Sequence, residues 1–146
     1  MAIDKSGRWW VGSTPTDLKE YLSEYMAQGY GLSEFRLCQC VCGSAVFRLH
    51  ADDENGVARR TCIHCKQKHY IADSEEFWEE GKPKLWKCAG CNTKEANVGV
   101  GYSLRGQEQE IYWIDIGVRC NQCGTLGCFT GWKIGYAPSL YLLDKA

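Results

Sequence analysis

Large aliphatic residues are scarce in this chain. Ile, Leu, Val and Phe together make up 29 of 146 residues, about 20%, near the level at which a charged chain stops folding by burial alone. Long apolar runs are lacking too: none approaches the ~18 residues of a membrane span, so no membrane association is expected. Met1 to Lys5 leads into Trp9 and Trp10 with no apolar segment or cleavage site; a secretory signal is therefore not expected, and a cytoplasmic location is. Neither sign of charge dominates, 17 Lys and Arg standing against 18 Asp and Glu. No Ser-His-Asp or Cys-His arrangement, phosphate loop, or carboxylate pair beside a three-ligand zinc site is visible, so no enzyme is expected.

Cysteine is what the chain has in excess, ten residues, together with six Trp and eight Tyr. In a reducing compartment ten cysteines point to metal binding or catalysis before disulfides. They read Cys38-x-Cys40-x-Cys42, Cys62-x2-Cys65, Cys88-x2-Cys91, Cys120-x2-Cys123 and a separate Cys128, with 19 residues between Cys42 and Cys62 and 28 between Cys91 and Cys120. Two intervening residues let a tight turn bring both thiolates onto one ion at ~2.3 Å, and two such turns complete a tetrahedral set. One C-x2-C is weak evidence, because redox motifs share it. Three of them with a C-x-C, paired at hairpin-sized intervals, are strong evidence.

The intervals themselves read as hairpins. Ala45 to His50 alternates, Asp52 to Gly56 carries an Asn-Gly turn signal, Val57 to Thr61 returns to Cys62, and His69 to Ala72 follows as a third short strand. In the second interval Val98, Val100, Tyr102 and Leu104 alternate with small residues, Arg105 to Glu110 turns the chain, and Tyr112, Ile114, Ile116 and Val118 form the returning apolar face. Leu126, Cys128, Trp132 and Ile134 are expected on one face of a last strand. Cys40-Val-Cys42-Gly with Cys62-Ile-His-Cys65, and Cys88-Ala-Gly-Cys91 with Cys120-Asn-Gln-Cys123-Gly, resemble two tandem zinc ribbons of the rubredoxin-like structural group over about residues 36 to 136. The resemblance implies two zinc ions, held by Cys40, Cys42, Cys62 and Cys65 and by Cys88, Cys91, Cys120 and Cys123, and three-stranded antiparallel sheets. It implies no particular activity. The first knuckle departs from the usual C-x2-C, so Cys38 with Cys42, or Cys38 with Cys40, is an alternative pair; Gly43 after Cys42 favours Cys40 and Cys42. His64 and His69 flank Cys65 as further donors, but His64 would crowd its own loop. Cys128 reads as a small core hydrophobe, and His50 as exposed.

The expected fold is thus small, metal-bound and mainly β: an N-terminal segment 1–35 with an amphipathic helix over 14–28, a first ribbon 36–72, an acidic linker helix 73–83, and a second ribbon with its tail 84–146. Thr14 before Pro15 supplies the helix start, Leu18, Tyr21, Leu22, Tyr25 and Met26 its stripe, and Gly29 its stop. The stripe is expected to dock on the first ribbon, Phe77 and Trp78 to pin one ribbon on the other, and the apolar tail Ser139 to Leu143 to pack back or bind a partner. Two four-thiolate zinc centres would lower the formal charge from −1 to about −5. That favours a protein partner, in one form as an inhibitor or immunity-type protein covering a partner's active site. Nucleic-acid binding along Arg59, Arg60, Lys66, Lys68, His69 and Tyr70 is the alternative, and rubredoxin-like electron transfer a third, because four thiolates also hold iron.

Overall fold

A computed structural model of the chain describes residues 3–106, 110–134, 136 and 138–146. Its elements in chain order are β1 (Ile3–Asp4), β2 (Val11–Gly12), α1 (Asp17–Met26), β3 (Glu34–Leu37), β4 (Phe47–Asp52), β5 (Val57–Cys62), β6 (Lys68–Tyr70), α2 (Ser74–Phe77), β7 (Lys84–Leu85), β8 (Ala96–Arg105), β9 (Glu110–Cys120) and β10 (Leu126–Lys133). Short 3-10 turns cover Trp78–Glu80 and Leu140–Lys145. Of the turn expected between Arg105 and Glu110, residues 107–109 lie outside the described residues.

One antiparallel sheet carries both cysteine-bearing halves, in the order β10-β9-β8-β4-β5-β6, with β3 added to β8 and β7 to β4. The order is symmetric about the β8/β4 junction, where a single pair, Phe47 opposite Ala96, joins the halves. Each half is a hairpin with its third strand outermost. The Asn55-Gly56 turn predicted from sequence closes β4 on β5: Gly56 has φ +63°, and a Cβ there would fall 2.8 Å from Cβ of Trp132. Only glycine fits both demands.

The alternation of Val98, Val100 and Tyr102 with Gly99 and Gly101 gives this sheet two different faces. The bulky side chains, with Ile114 and Ile116, pack in one cluster with Phe47, Leu49, Ala58 and Ile71 of the other hairpin. The halves therefore share a core. The glycine side receives α1, which lies on β8, β9 and β10 instead of on the first hairpin as its stripe was expected to. Leu18 seats at Gly99 and Leu22 at Gly101 and Gly117, where a Cβ would stand 3.1 Å from three Leu22 carbons. No such glycine face exists on β4 and β5, and β5 receives the short helix α2 instead.

The α-helix begins at Asp17, one turn after Thr14. Asp17 is buried and its carboxylate accepts the Ser13 and Thr14 backbone N–H groups at 2.8 and 3.0 Å, which fixes the turn leading into the helix. Leu18, Leu22 and Met26 are buried, while Tyr25 stays exposed.

Two further expectations are corrected. β10 shifts register between Cys128 and Thr130. Leu126 and Cys128 oppose Arg119 and Gly117 on the helix side, whereas Trp132 and Thr130 oppose Ile114 and Ile116 on the core side. One extra residue at Phe129 inverts the faces, so the four apolar residues of this strand do not share a side. The linker also ties the halves through polar atoms: Asp73 accepts the Trp132 indole N–H at 3.2 Å and the Tyr136 hydroxyl at 2.9 Å, and Ser74 Oγ accepts the Ala58 N–H at 2.8 Å. Phe77 is exposed, and Trp78 packs on Arg59 and Tyr70 of the first hairpin. The tail packs back, burying Leu142, and its Leu142 carbonyl accepts the Tyr102 hydroxyl.

Replacing Gly117 by Val should lift α1 from the sheet and destabilise the protein by about 1–3 kcal/mol, the usual range for overpacking, with metal content unchanged. A denaturant midpoint equal to the parent's would show that the helix does not depend on this close seat.

Candidate metal centres

The four knuckles share one local conformation. The residue after the second cysteine lies in the left-handed region in each: Gly43 at φ +97°, Lys66 at +68°, Asn92 at +64° and Gly124 at +81°. Its N–H returns to the carbonyl of the first cysteine, Lys66 to Cys62, Asn92 to Cys88 and Gly124 to Cys120, at 2.9–3.0 Å. The short first knuckle closes the same way one residue earlier, with Gly43 N–H on the Cys40 carbonyl at 2.8 Å. The missing residue is thus absorbed by a tighter turn.

These turns bring together Cys40, Cys42, Cys62 and Cys65 in one quartet and Cys88, Cys91, Cys120 and Cys123 in another, with all sulfurs of a quartet within 4.8 Å of one another. Individual separations are 3.4 Å for Cys40–Cys65, 3.6 Å for Cys42–Cys62, and 3.5 Å for both Cys88–Cys123 and Cys91–Cys120. A tetrahedron with metal–sulfur bonds of ~2.3 Å has edges of about 3.8 Å, so the donor sets fit one ion each. In each quartet the first cysteine of a knuckle is buried and the second exposed.

Backbone groups face the sulfurs as thiolates require. Cys62 Sγ accepts the Cys65 N–H at 3.5 Å, Cys88 Sγ the Gly90 N–H at 3.3 Å, and Cys120 Sγ the N–H groups of Gln122 and Cys123 at 3.4 and 3.5 Å. In the second quartet the Thr93 hydroxyl lies 3.1 Å from Cys91 Sγ and that of Thr125 3.0 Å from Cys123 Sγ. The N–H of Cys65 holds the Cys62 thiol down to about 6, and the Thr93 hydroxyl holds Cys91 down to about 6.

Cys38 stands outside both quartets. Its N–H continues the β3 ladder onto the Val98 carbonyl, which turns its side chain into the core, and burial pushes its thiol up to about 12. His64 is exposed and His69 lies in β6; neither joins a quartet. Cys128 sits half-buried on the helix side, 3.6 Å from Asp115 Oδ1, and burial followed by the Asp115 charge raises its pKa.

Beside the second quartet lies an aromatic surface that takes in Trp9 and Trp10, a pair the sequence offers as helix-docking residues or partner-facing anchors, and extends well beyond them. Trp9, Tyr21 and Tyr25 line two grooves of about 500 and 280 Å³ that also touch Leu126, and Tyr25 lines a third, of about 320 Å³, with Tyr30 and Trp113. Trp10 lies edge-on to Tyr21, Tyr21 stacks on Tyr25, and Tyr30 lies against Trp113. Trp9 is 41%, Tyr25 47% and Tyr30 61% exposed. The signal available in the sequence was the helical spacing of Tyr21 and Tyr25, which reads equally as core. Among the described residues no helix is long and apolar enough to cross a membrane. No family model, curated protein or solved structure matches the chain.

Substituting Cys120 by Ser should lose one equivalent of metal and unfold the second hairpin, since metal binding and folding are coupled in such sites. Cys128→Ser should keep both equivalents. Elemental analysis with circular dichroism checks the pair, and equal metal loss in both variants would show that the grouping is wrong.

Proposed function

We propose that this is a non-catalytic metalloprotein in which two zinc-ribbon units, each holding one zinc ion on four thiolates, support a protein-binding surface. The observation that carries the reading is the aromatic band. Trp and Tyr are the residues that most often anchor protein interfaces, and here they stand partly exposed, in contact, along grooves outside both quartets. Four sulfurs around a tetrahedral ion leave no open position for substrate or water, which favours a structural role for the metal. The ion supplies cross-linking of the knuckles and neutralisation of thiolate charge.

The nucleic-acid reading loses support from the side-chain placements. Its basic edge needed Arg59 and Arg60 together, yet they fall on opposite faces of β5. Arg60 is buried over Phe47 and donates to the Ala146 carbonyl at 2.8 Å, Arg59 lies over Trp78 and Tyr70, and Lys66 donates to its own loop at Ile63.

The purified protein should be colourless and carry two equivalents of zinc; an iron-containing, coloured protein would replace this reading with electron transfer. A triple variant, Trp9→Ala, Tyr25→Ala and Tyr30→Ala, should keep both metals and lose capture of a discrete partner from native lysate. Equal capture by parent and variant, or none by either, would sink the proposed surface.

A further inference from the structure

The wall of the aromatic groove that carries Trp9 and Trp10 is built on the second quartet. Strand β2 follows those two residues and lies against the Cys120–Cys123 knuckle. The Gly12 N–H donates to the Gly124 carbonyl at 2.8 Å, and the Leu126 N–H donates to the Trp10 carbonyl at 2.7 Å. Val11 bridges Thr125, and Arg119 Nε, one residue before Cys120, donates to the Gly12 carbonyl at 2.7 Å. The fit leaves no slack: a Cβ on Gly124 would stand 2.6 Å from the Gly12 oxygen. The same residues are the ones the quartet shapes. Gly124 gives its N–H to the Cys120 carbonyl, and Thr125 Oγ1 lies beside Cys123 Sγ.

From Gly12 the path continues into the helix that forms the groove's other wall. A Cβ on Gly12 would lie 3.0 Å from Cβ of Asp17, and Asp17 holds the Ser13 and Thr14 N–H groups. The first quartet has no such relation to β2. Its knuckle loop reaches this region through Asn97, whose amide donates to the Ala45 carbonyl and accepts from Arg119, and its Cys62 is joined to Cys120 through the strand row Phe47 and Ala96. Neither Asn97 nor that row is paired with β2.

We propose that the second metal centre, and not the first, assembles the aromatic face: an ion on Cys88, Cys91, Cys120 and Cys123 fixes the Gly124–Thr125 turn, the turn docks β2, and β2 holds Trp9 and Trp10 at the groove. The proposal rests on the reading that the quartets bind metal. The two centres are then unequal in role. The first holds its own hairpin together, and the second couples metal supply to the surface that meets a partner.

The test is hydrogen exchange at the Gly12 and Leu126 amides, with metal content measured on the same samples. In the metal-replete parent both amides should be protected. Cys123→Ser should release one equivalent of metal and accelerate exchange at both on the order of tenfold or more, and Cys65→Ser should release the other equivalent and leave both protected. Gly12→Val leaves all eight thiolates and all four knuckle turns untouched and places bulk against Asp17 and Leu126, so it separates release of β2 from unfolding: both metals and the β8–β9 amides should be retained while Leu126 loses protection. Protection of Leu126 in Gly12→Val, or equal loss at Gly12 and Leu126 in Cys65→Ser, would overturn the coupling. A parent protein with no bound metal would overturn the underlying reading instead.

Discussion

The bulky face of β8 and β9 has no cover within its own hairpin, and the rest of the structure follows from how it gets one. Val98, Val100, Tyr102, Ile114 and Ile116 are buried against Phe47, Leu49, Ala58 and Ile71 of the other half, so a chain short of aliphatic residues forms one core of useful size where two separate ones would each be marginal. The same sheet turns its glycine face to α1, whose Leu18, Leu22 and Met26 need a close backbone approach to be covered. Alternation of large and small residues along a single strand thereby serves two unlike packings at once.

Within that frame the knuckles solve a local problem. Each must reverse the chain over a few residues while aiming two sulfurs at a common point, and each does so by placing one residue in the left-handed region. Glycine occupies that position in two of the four and adopts it freely, whereas Lys66 and Asn92 adopt it at some conformational expense.

Local features were legible in the sequence and long-range ones were not. Cysteine spacing, the Asn55-Gly56 turn, and the alternating strands Phe47–Asp52, Ala96–Arg105 and Glu110–Cys120 depend on neighbours a few residues away, so pattern alone identifies them. Which side α1 covers depends on the glycines of strands some 80 to 100 residues later in the chain, a relation no periodicity encodes. The inversion of β10 turns on one residue at Phe129, which ordinary alternation hides. Asp73, at the start of the expected linker helix, acts as an acceptor for Trp132 and Tyr136 across the two halves. Cys38 was left open by counting, and is decided only by its ladder position beside Val98.

The pairing at the centre of the sheet also sets how the two centres influence each other. Cys62 opposes Phe47, Phe47 opposes Ala96, and Ala96 opposes Cys120, so one ligand of each quartet lies in a single row across four strands. Three strand spacings measure about 14 Å. A divalent ion on four thiolates leaves each centre with a formal charge of about −2, yet at physiological ionic strength the screening length is only ~8 Å. Repulsion between two metal-loaded centres would therefore be damped on their solvent side, where Cys42, Cys65, Cys91 and Cys123 are exposed, and less so along the buried row that joins them.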